Sequence, residues 1–228
     1  MIGRVVPLLL VAAAAAGCDD FATPAQLTKP TVLAVIADPP IVAPGASAAI
    51  SVAMAGPDGP IAGPTVTWSL AETYPGIAPF GTITPTADGA ATYAAPDPLP
   101  PLPDKVPPVV TIQAAIGGDT PITALMAIGV VAVPSANPVI DALTVAGATG
   151  DTATITHGAT VDVAAMITPA ADDTTSFAWY STAGEIERYQ SNPTTLVAPA
   201  EPGSGWIYVV VRDGKGGAAV RSIAVTIN

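Results

Sequence analysis

The chain is poor in reactive and positively charged residues. It has one cysteine and one histidine among 228 residues, and 7 lysines and arginines against 18 aspartates and glutamates. One cysteine cannot form an internal disulfide, and a zinc site usually takes three or four protein ligands, mostly His and Cys. The formal net charge of −11 repels nucleic acid. The sequence therefore predicts no transition-metal site, no nucleic-acid partner and no small-molecule cofactor.

Aromatic residues are also scarce, at 5% of the chain, although 50% of the residues are hydrophobic. Alanine, valine and isoleucine supply most of this apolar mass, and valine, isoleucine and threonine favour strands. The 21 glycines and 26 prolines break the chain often, and no stretch beyond the N-terminus has useful helical periodicity. This composition predicts an all-β fold of short strands joined by frequent turns.

The N-terminus has the three parts of an export signal. A short start carries Arg4, an apolar run extends from Val5 to Ala16, and small residues precede Cys18. The run is interrupted by Pro7 and is shorter than the roughly 20 residues that a membrane-spanning helix needs. We therefore expect residues 1–17 to be a signal peptide rather than a permanent transmembrane helix.

The residues before the cysteine, Ala15, Ala16 and Gly17, together with Cys18, resemble the lipobox of bacterial lipoproteins. The resemblance implies that the signal is cut before Cys18, that its thiol carries a diacyl group with chains such as palmitate, and that the new amine is usually acylated. Two or three chains, at about 0.8 kcal/mol per buried CH₂, give stable membrane attachment. The alternative is an ordinary signal peptide followed by an incidental cysteine.

Residues 18–30, which begin with the lipidated cysteine, lack apolar periodicity and are predicted to form a flexible tether. Residues 31–134 then alternate between apolar and polar positions in seven candidate strands separated by turns rich in proline and glycine. Seven strands is the count of a β-sandwich. The candidates are Thr31–Ile36, Ala48–Met54, Val66–Leu70, Thr82–Thr84, Ala91–Ala94, Val109–Ile116 and Ile122–Val133.

Residues 138–228 repeat this plan, which indicates a duplicated domain. Their candidate strands are Val139–Val145, Val161–Ile167, Phe177–Trp179, Glu185–Arg188, Thr194–Val197, Trp206–Val211 and Ala219–Ile227. Matching residues lie 111 to 113 positions apart, namely Gly45 and Gly158, Met54 and Met166, and Trp68 and Trp179. The linker, residues 135–137, is short and flanked by Pro134 and Pro138, so we expect a fixed relative orientation of the two domains.

This pattern resembles the immunoglobulin-like and PKD-like repeats of bacterial surface and periplasmic proteins. The resemblance is carried by the opening strand, the turn at Gly45 or Gly158, the tryptophan of the third main strand, and the closing hairpin turn Arg212–Gly217. It implies two tandem β-sandwiches that serve adhesion, spacing or recognition, and it names no partner. Because their strand neighbours are apolar, Trp68 and Trp179 are predicted to be core residues rather than ligand-stacking aromatics.

The sequence offers little for catalysis. The one histidine, His157, lies in a turn, and no GxSxG nucleophile motif accompanies it, so we expect a solvated turn residue rather than a general base. Glu185 and Glu187 are spaced to face one side of a strand, as a glycosidase pair could be. We interpret them as a solvated strand face and predict that the protein is not an enzyme.

Three further features have two interpretations each. Asp172, Asp173 and Asp213 could offer oxygen ligands to calcium, but without the spacing of a calcium loop they indicate turn-forming residues, and we predict no metal site. The stretch Pro96–Pro108 holds seven prolines in 13 residues and is either a polyproline II ligand or a rigid connection between strands. The apolar Ile122–Val133 is too short to span a membrane and is predicted to be a buried terminal strand.

These features predict a non-enzymatic envelope lipoprotein that acts as a spacer or protein-recognition module, with the membrane and other envelope proteins as partners. The alternative is a lipoprotein that binds polysaccharide or peptidoglycan. Exposed coplanar aromatics would favour it, and the candidates are Trp206, Tyr180 and Tyr189. Asp19 resembles the inner-membrane retention signal of enteric bacteria, whereas the alanine-, glycine- and proline-rich composition suggests another bacterial group. We expect the outer membrane, with the body in the periplasm or at the cell surface.

Overall fold

The computed structural model describes residues 24–117 and 121–228, and in these ranges the chain forms 18 β-strands. The signal segment, Cys18 and the first part of the predicted tether lie outside the described residues. In the described ranges no helix has the length and apolar character required to cross a bilayer.

The first sandwich is built from nine strands in two sheets. One sheet has the order β1-β3-β7-β6, with β4 paired to β3, and the other has the order β2-β9-β8-β5. The strands are β1 Thr31–Asp38, β2 Ile41–Val42, β3 Ser47–Gly56, β4 Gly59–Ile61, β5 Val66–Ala71, β6 Thr82–Pro85, β7 Ala91–Ala94, β8 Val109–Ile116 and β9 Ile122–Val130.

The second sandwich repeats this architecture with the sheet orders β11-β10-β13-β16-β15 and β12-β18-β17-β14. The strands are β10 Val139–Val145, β11 Ala148–Thr149, β12 Thr152–Ile155, β13 Thr160–Thr168, β14 Ser176–Ser181, β15 Glu185–Ile186, β16 Thr194–Val197, β17 Gly203–Arg212 and β18 Ala218–Ile227.

The two sandwiches share one topology. In each, the first strand pairs with the second long strand, and a short strand after the first crosses to the other sheet and pairs in parallel with the last strand, as β2 does with β9 and β12 with β18. The remaining pairs are antiparallel. Two packed sheets with this strand order are the immunoglobulin-like arrangement, so the chain is an all-β protein of two tandem immunoglobulin-like sandwiches.

Each sandwich has its own core between its sheets, and each core is organised around one tryptophan. Trp68 is 7% exposed and its Nε1 donates to the Gly89 carbonyl at 3.0 Å. Trp179 is fully buried and its Nε1 donates to the Ser191 carbonyl at 2.8 Å. Because a buried indole N–H needs an acceptor, each carbonyl fixes the ring in place. The prediction that both tryptophans are core residues is confirmed.

All fourteen predicted strands are present, and several have the predicted bounds. Four short strands were missed: β2, β4, β11 and β12. They have two to four residues each, and a stretch that short carries little periodicity. β4, for instance, begins at Gly59 inside a stretch interpreted as a turn, and it forms because Pro60 and Ile61 pair with β3. Long-range pairing, rather than local propensity, determines these strands.

The proline-rich stretch Pro96–Pro108 is a packed connection between β7 and β8. Leu99 and Leu102 lie against the core of the first sandwich. The Pro96 carbonyl accepts from Gly45 N–H at 3.3 Å, and the Pro108 carbonyl accepts from Val130 N–H at 2.8 Å. These contacts favour the interpretation as a rigid connection over that as a free polyproline II ligand.

The apolar stretch Ile122–Val133 differs from its prediction as a buried terminal strand. β9 ends at Val130, and only Ile128 and Val130 are fully buried. The side chain of Leu125 is 63% exposed and that of Val133 is 77% exposed. The sheet that contains β9 turns only one face toward the core, so alternate side chains of the strand point to solvent.

The end of the segment predicted as a tether is also different. Ala25 is buried in the core of the second sandwich, and Leu27 is buried between the sandwiches. Leu27 N–H donates to the Ser181 carbonyl at 3.1 Å, and Ser181 N–H donates to the Ala25 carbonyl at 2.8 Å. Small apolar side chains at alternate positions let this segment lie along the end of β14. From Ala25 to Leu27 the chain is therefore docked, not free.

Candidate functional site

The aromatic candidates for sugar binding lie in an apolar cluster between the two sandwiches. Tyr180 on β14 and Trp206 on β17 are partly buried there, and Tyr208, also on β17, is 2% exposed. The rings of Trp206 and Tyr208 stack with centroids 6.3 Å apart. The first sandwich covers this face with residues of β1 and β3: Leu33, Ala34, Ile36, Ala53 and Ala55. A surface covered in this way offers no coplanar platform to a sugar.

One glycine lets the first sandwich approach Trp206 closely. Gly59 has φ +131°, and a Cβ at this position would lie 2.9 Å from the Trp206 Nε1. A side chain there would strain the backbone and collide with the indole. The turn between β3 and β4 and the ring of Trp206 therefore fit together only with glycine at this position.

The third candidate, Tyr189, is separate from the other two. It is partly buried against the core of the second sandwich, and its carbonyl accepts from Trp179 N–H at 2.7 Å. The structure thus brings Trp206 and Tyr180 together at the interface, whereas Tyr189 packs on another part of the second sandwich.

Polar side chains reinforce the contact between the sandwiches. Asn137, in the linker, donates from Nδ2 to the Ala37 carbonyl at 2.7 Å and accepts at Oδ1 from Ala218 N–H at 2.9 Å. Arg212, at the end of β17, donates from Nη2 to the Leu33 carbonyl of β1 at 3.2 Å. One amide thus joins a strand of each sandwich, and one guanidinium crosses directly between them. Together with the apolar cluster they fix the relative orientation.

Tyr208 is an unusual member of the interface. Its hydroxyl is buried and has no hydrogen-bond partner among the described residues. Burial raises the pKa of Tyr208 to about 12, because the phenolate would lose its solvation. Tyr93, in the first sandwich, also has a pKa raised to about 12 by burial, but its hydroxyl donates to the Phe80 carbonyl at 3.3 Å.

A groove opens beside the interface, where the edges of β1 and β9 approach the β17–β18 turn. One part has a volume of about 460 Å³ and is lined by Lys29, residues 30–35, residues 122–125 and Arg212. An adjoining part of about 340 Å³ shares Val35, Leu125 and Arg212 with the first. Both sandwiches contribute to its walls, so the groove depends on their docking.

None of the residues weighed for acid–base chemistry lines this groove. His157 is exposed in the turn before β13, and its Nδ1 lies 2.7 Å from the Asn228 carbonyl. Glu185 and Glu187 are both exposed, and the Glu187 carboxylate accepts from the Thr195 hydroxyl. Each residue has the surface position that its sequence context predicted. In the described ranges, no three His, Cys, Asp or Glu residues are grouped as metal ligands would be.

Asp172 serves the turn before β14. Its Oδ1 accepts from the N–H and hydroxyl groups of Thr174 and Thr175 at 2.7 to 3.1 Å, and its Oδ2 lies 3.3 Å from the Lys215 Nζ. The hydrogen bonds from Thr174, Thr175 and Lys215 hold the pKa of Asp172 well below its ordinary value. Asp213 likewise accepts at Oδ1 from Lys215 N–H and Gly217 N–H. Both carboxylates act as the turn-forming residues that the sequence indicated.

Comparisons with known proteins yield similar solved structures only. No family model matches the chain, and no curated protein matches it. The Ig1-2 module of the Drosophila receptor protein tyrosine phosphatase DLAR is 14% identical with a TM-score of 0.33, covering 88% of this chain and 99% of that one. Murine CEACAM1b is 15% identical with a TM-score of 0.30, covering 88% and 100%. The Yersinia pseudotuberculosis adhesin InvE is 12% identical with a TM-score of 0.29, covering 84% and 58%. The immunoglobulin-like assignment rests on the strand order described above.

Sequence reasoning missed the groove and its two cations, Lys29 and Arg212. Two signals could have found them. The chain has only 7 lysines and arginines, so the few cations in it, Lys29 and Arg212 among them, are candidates for binding an anionic partner. In addition, the outward positions of β17 carry large apolar side chains, which indicates that this face is covered.

Proposed function

We propose that the protein is a non-enzymatic lipoprotein of the cell envelope, held to the outer membrane through Cys18, whose two sandwiches act as a spacer and protein-recognition module. The observation that carries the proposal is the apolar interface between the sandwiches, because it makes two domains into one body with a preformed surface. A preformed surface loses little conformational entropy when it binds a partner. The lipobox-like residues before Cys18 support the anchor.

The anchor is tested by intact-mass analysis of the protein purified from membranes. We expect a mature N-terminus at Cys18 that carries acyl mass, and we expect Cys18→Ser to abolish that mass. The sandwiches of the variant should stay folded, since they have no disulfide to lose. A mature chain that begins at another residue and has a free thiol would refute the anchor. Recovery solely with inner-membrane markers would refute the outer-membrane assignment.

The recognition role is tested by crosslinking in intact cells, followed by purification under denaturing conditions. We expect specific envelope proteins to be crosslinked to the wild-type protein. Binding assays with peptidoglycan and envelope polysaccharides provide the competing outcome. Saturable micromolar binding to a polysaccharide that is lost in Trp206→Ala, without loss of folding, would replace protein recognition with carbohydrate binding.

A further inference from the structure

We propose that the groove between β1 and β9 binds an extended acidic polypeptide segment, which adds as a strand to the free edge of β9. This inference rests on the proposed recognition function and names the chemistry of the partner. Strand addition supplies main-chain hydrogen bonds, and side-chain contacts along the groove supply selectivity.

Much of the outer edge of β9 is open. On one side β9 pairs with β8 along its whole length, but on the other side β2 pairs only with Gly129 and Val130. Among the described residues, nothing hydrogen-bonds the outer edge of residues 122–127. In an antiparallel strand, alternate residues direct both their N–H and their C=O to one side. This edge is therefore a row of unpaired donors and acceptors.

The equivalent edge in the second sandwich is covered over more of its length. β12 pairs with four residues of β18, from Ala224 to Ile227. At the other end, Ala218 N–H donates to Asn137 Oδ1 at 2.9 Å. Between them, Arg221 donates from Nη1 to the carbonyls of Ile140 and Asp141 and so joins β18 to β10. Among its described residues, the first sandwich has only the two-residue pairing with β2 on this edge, so an edge as open as that of β9 is not a general property of the fold.

The edge of β1 is less available than that of β9, although both border the groove. The Leu33 carbonyl of β1 already accepts from Arg212 Nη2. On β9, by contrast, the side chain of Leu125 is 63% exposed and offers an apolar contact to an incoming strand. These two facts select β9 as the acceptor strand.

The charge of the groove identifies the kind of segment. Lys29 and Arg212 line it, and no aspartate or glutamate among the described residues lines either part. The neighbouring acid along the chain, Asp213, is engaged with the N–H groups of its own turn. Among the described residues, the charged side chains that line the groove are therefore all cations. The chain as a whole has a net charge of −11 and repels acidic segments elsewhere on its surface.

Arg212 can serve such a segment while it holds the sandwiches together. Its guanidinium has five N–H donors, and the bond to the Leu33 carbonyl uses one. The remaining donors can pair with a carboxylate in a bidentate manner. A second copy of this chain fits less well, because its own β9, from Ile122 to Ala127, carries no acidic residue.

The test uses the full-length protein in a nonionic detergent and fluorescence anisotropy of three labelled ten-residue peptides. In the first, valine alternates with glutamate. In the second, lysine replaces glutamate. The third has the acidic sequence with every backbone nitrogen methylated, which removes the N–H donors of both strand edges. We expect saturable binding of the acidic peptide and at least tenfold weaker binding of the other two.

Matched variants locate the site. Lys29→Glu should weaken binding of the acidic peptide at least tenfold, whereas Lys105→Glu, the same charge change outside the groove, should leave it within twofold. Leu125→Glu should weaken binding at least tenfold, whereas Met166→Glu, at a similarly exposed apolar residue of the second sandwich (61% against 63%), should not. Thermal unfolding of each variant checks that folding is retained.

Four results would overturn the inference. Equal binding of the acidic and lysine peptides would refute the preference for acidic segments. Equal binding of the acidic peptide and its methylated form would refute strand addition. Sedimentation that shows a dimer disrupted by Leu125→Glu, without binding of any peptide, would assign the edge to a second copy. If none of the peptides binds while a specific envelope protein is still crosslinked elsewhere on the body, this inference is refuted and the proposed function is retained.

Discussion

The outward faces of the two equivalent sheets carry different residues. Trp68 pairs with Ala114 on β8, and Trp179 pairs with Val209 on β17, so these strands can be compared position by position. The outward residues of β8 are Thr111, Gln113 and Ala115, and those at the same positions of β17 are Trp206, Tyr208 and Val210. The buried and partly buried residues of β8 alternate along the strand, whereas residues 207–211 of β17 are all buried.

The difference has one cause. The outward face of β17 packs against the first sandwich, and the outward face of β8 does not. A strand buried on both faces becomes a continuous apolar run, while a strand buried on one face alternates. The two sandwiches thus differ at the outward positions of the strand through which the second sandwich contacts the first. The aromatic residues on β17 are explained by the interface, without a ligand.

The largest expected effect concerns the two core tryptophans. Replacing a buried Trp by Ala costs about 3–5 kcal/mol of unfolding free energy. We expect Trp179→Ala to fall at the upper end of that range and Trp68→Ala at the lower end, because Trp179 is fully buried and Trp68 is 7% exposed. Urea denaturation followed by circular dichroism measures both. A larger cost for Trp68→Ala would show that the first sandwich depends more on its core.

The second prediction tests the covered face directly. Val210 is fully buried between the sandwiches, so Val210→Asp should cost about 3 kcal/mol, from lost apolar burial and a desolvated carboxylate. This loss of stability cannot exceed the free energy of docking between the sandwiches, because separation of the sandwiches exposes the aspartate to water. At the equivalent position, Ala115→Asp should change stability by less than about 0.5 kcal/mol.

Small-angle X-ray scattering on the same two variants gives the structural readout. We expect a larger radius of gyration for Val210→Asp, as its sandwiches separate while remaining folded, and no change for Ala115→Asp. An unchanged radius in Val210→Asp would mean that the linker and the contacts of Asn137 and Arg212 are sufficient to hold the orientation.

The buried tyrosines give a smaller effect. Tyr93→Phe removes a hydrogen bond and should cost about 1 kcal/mol. Tyr208→Phe removes a hydroxyl without a partner among the described residues, and should leave stability unchanged or raise it by about 1 kcal/mol. The opposite order would show that the Tyr208 hydroxyl contributes more than its contacts explain.

Both phenols also predict a pH dependence. Because their pKa values are raised from 10.0 to about 12, the folded state holds these protons more tightly than the unfolded state. Their contribution to stability is complete below pH 10 and is lost as the pH rises through about 12. Alkaline titration followed by tyrosinate absorbance should show two phenols of the folded protein that ionise at higher pH than the others. The double variant with Tyr93→Phe and Tyr208→Phe should lack this late phase.

The smallest effect concerns the turn before β14. Since the folded-state pKa of Asp172 is lowered, its contribution is present above the unfolded-state value of about 4 and is lost as the pH falls through the folded-state value. The difference in unfolding temperature between the wild type and Asp172→Ala should therefore be constant near neutral pH and shrink below about pH 4. The corresponding turn of the first sandwich, residues 62–65, has no acidic residue and should show no such effect.

The sequence was sufficient for the strands and the duplication, because alternation and turn residues are local signals. The strands Ala91–Ala94, Val109–Ile116, Val139–Val145 and Thr194–Val197 have their predicted bounds. The packing of one sandwich on the other was not predicted, and so Trp206 and Tyr180 were considered for sugar binding. Which face of a sheet is covered depends on tertiary contacts, although comparing Tyr208 with Gln113 would have indicated it.

The groove was missed for a similar reason. Lys29, Leu125 and Arg212 are distant in the sequence and come together only when the sandwiches dock. The docking of Ala25 and Leu27 was equally hidden, since two small apolar residues among prolines and polar residues carry no periodic signal.

That docked segment limits how far the body could stand from the bilayer. Residues 25–27 join the second sandwich at Ser181, and only five residues, 19–23, lie between Cys18 and Pro24. Five extended residues span at most about 18 Å. With the lipid on Cys18, the end of β14 and the interface beside it, where Leu27 is buried, would therefore be held close to the membrane.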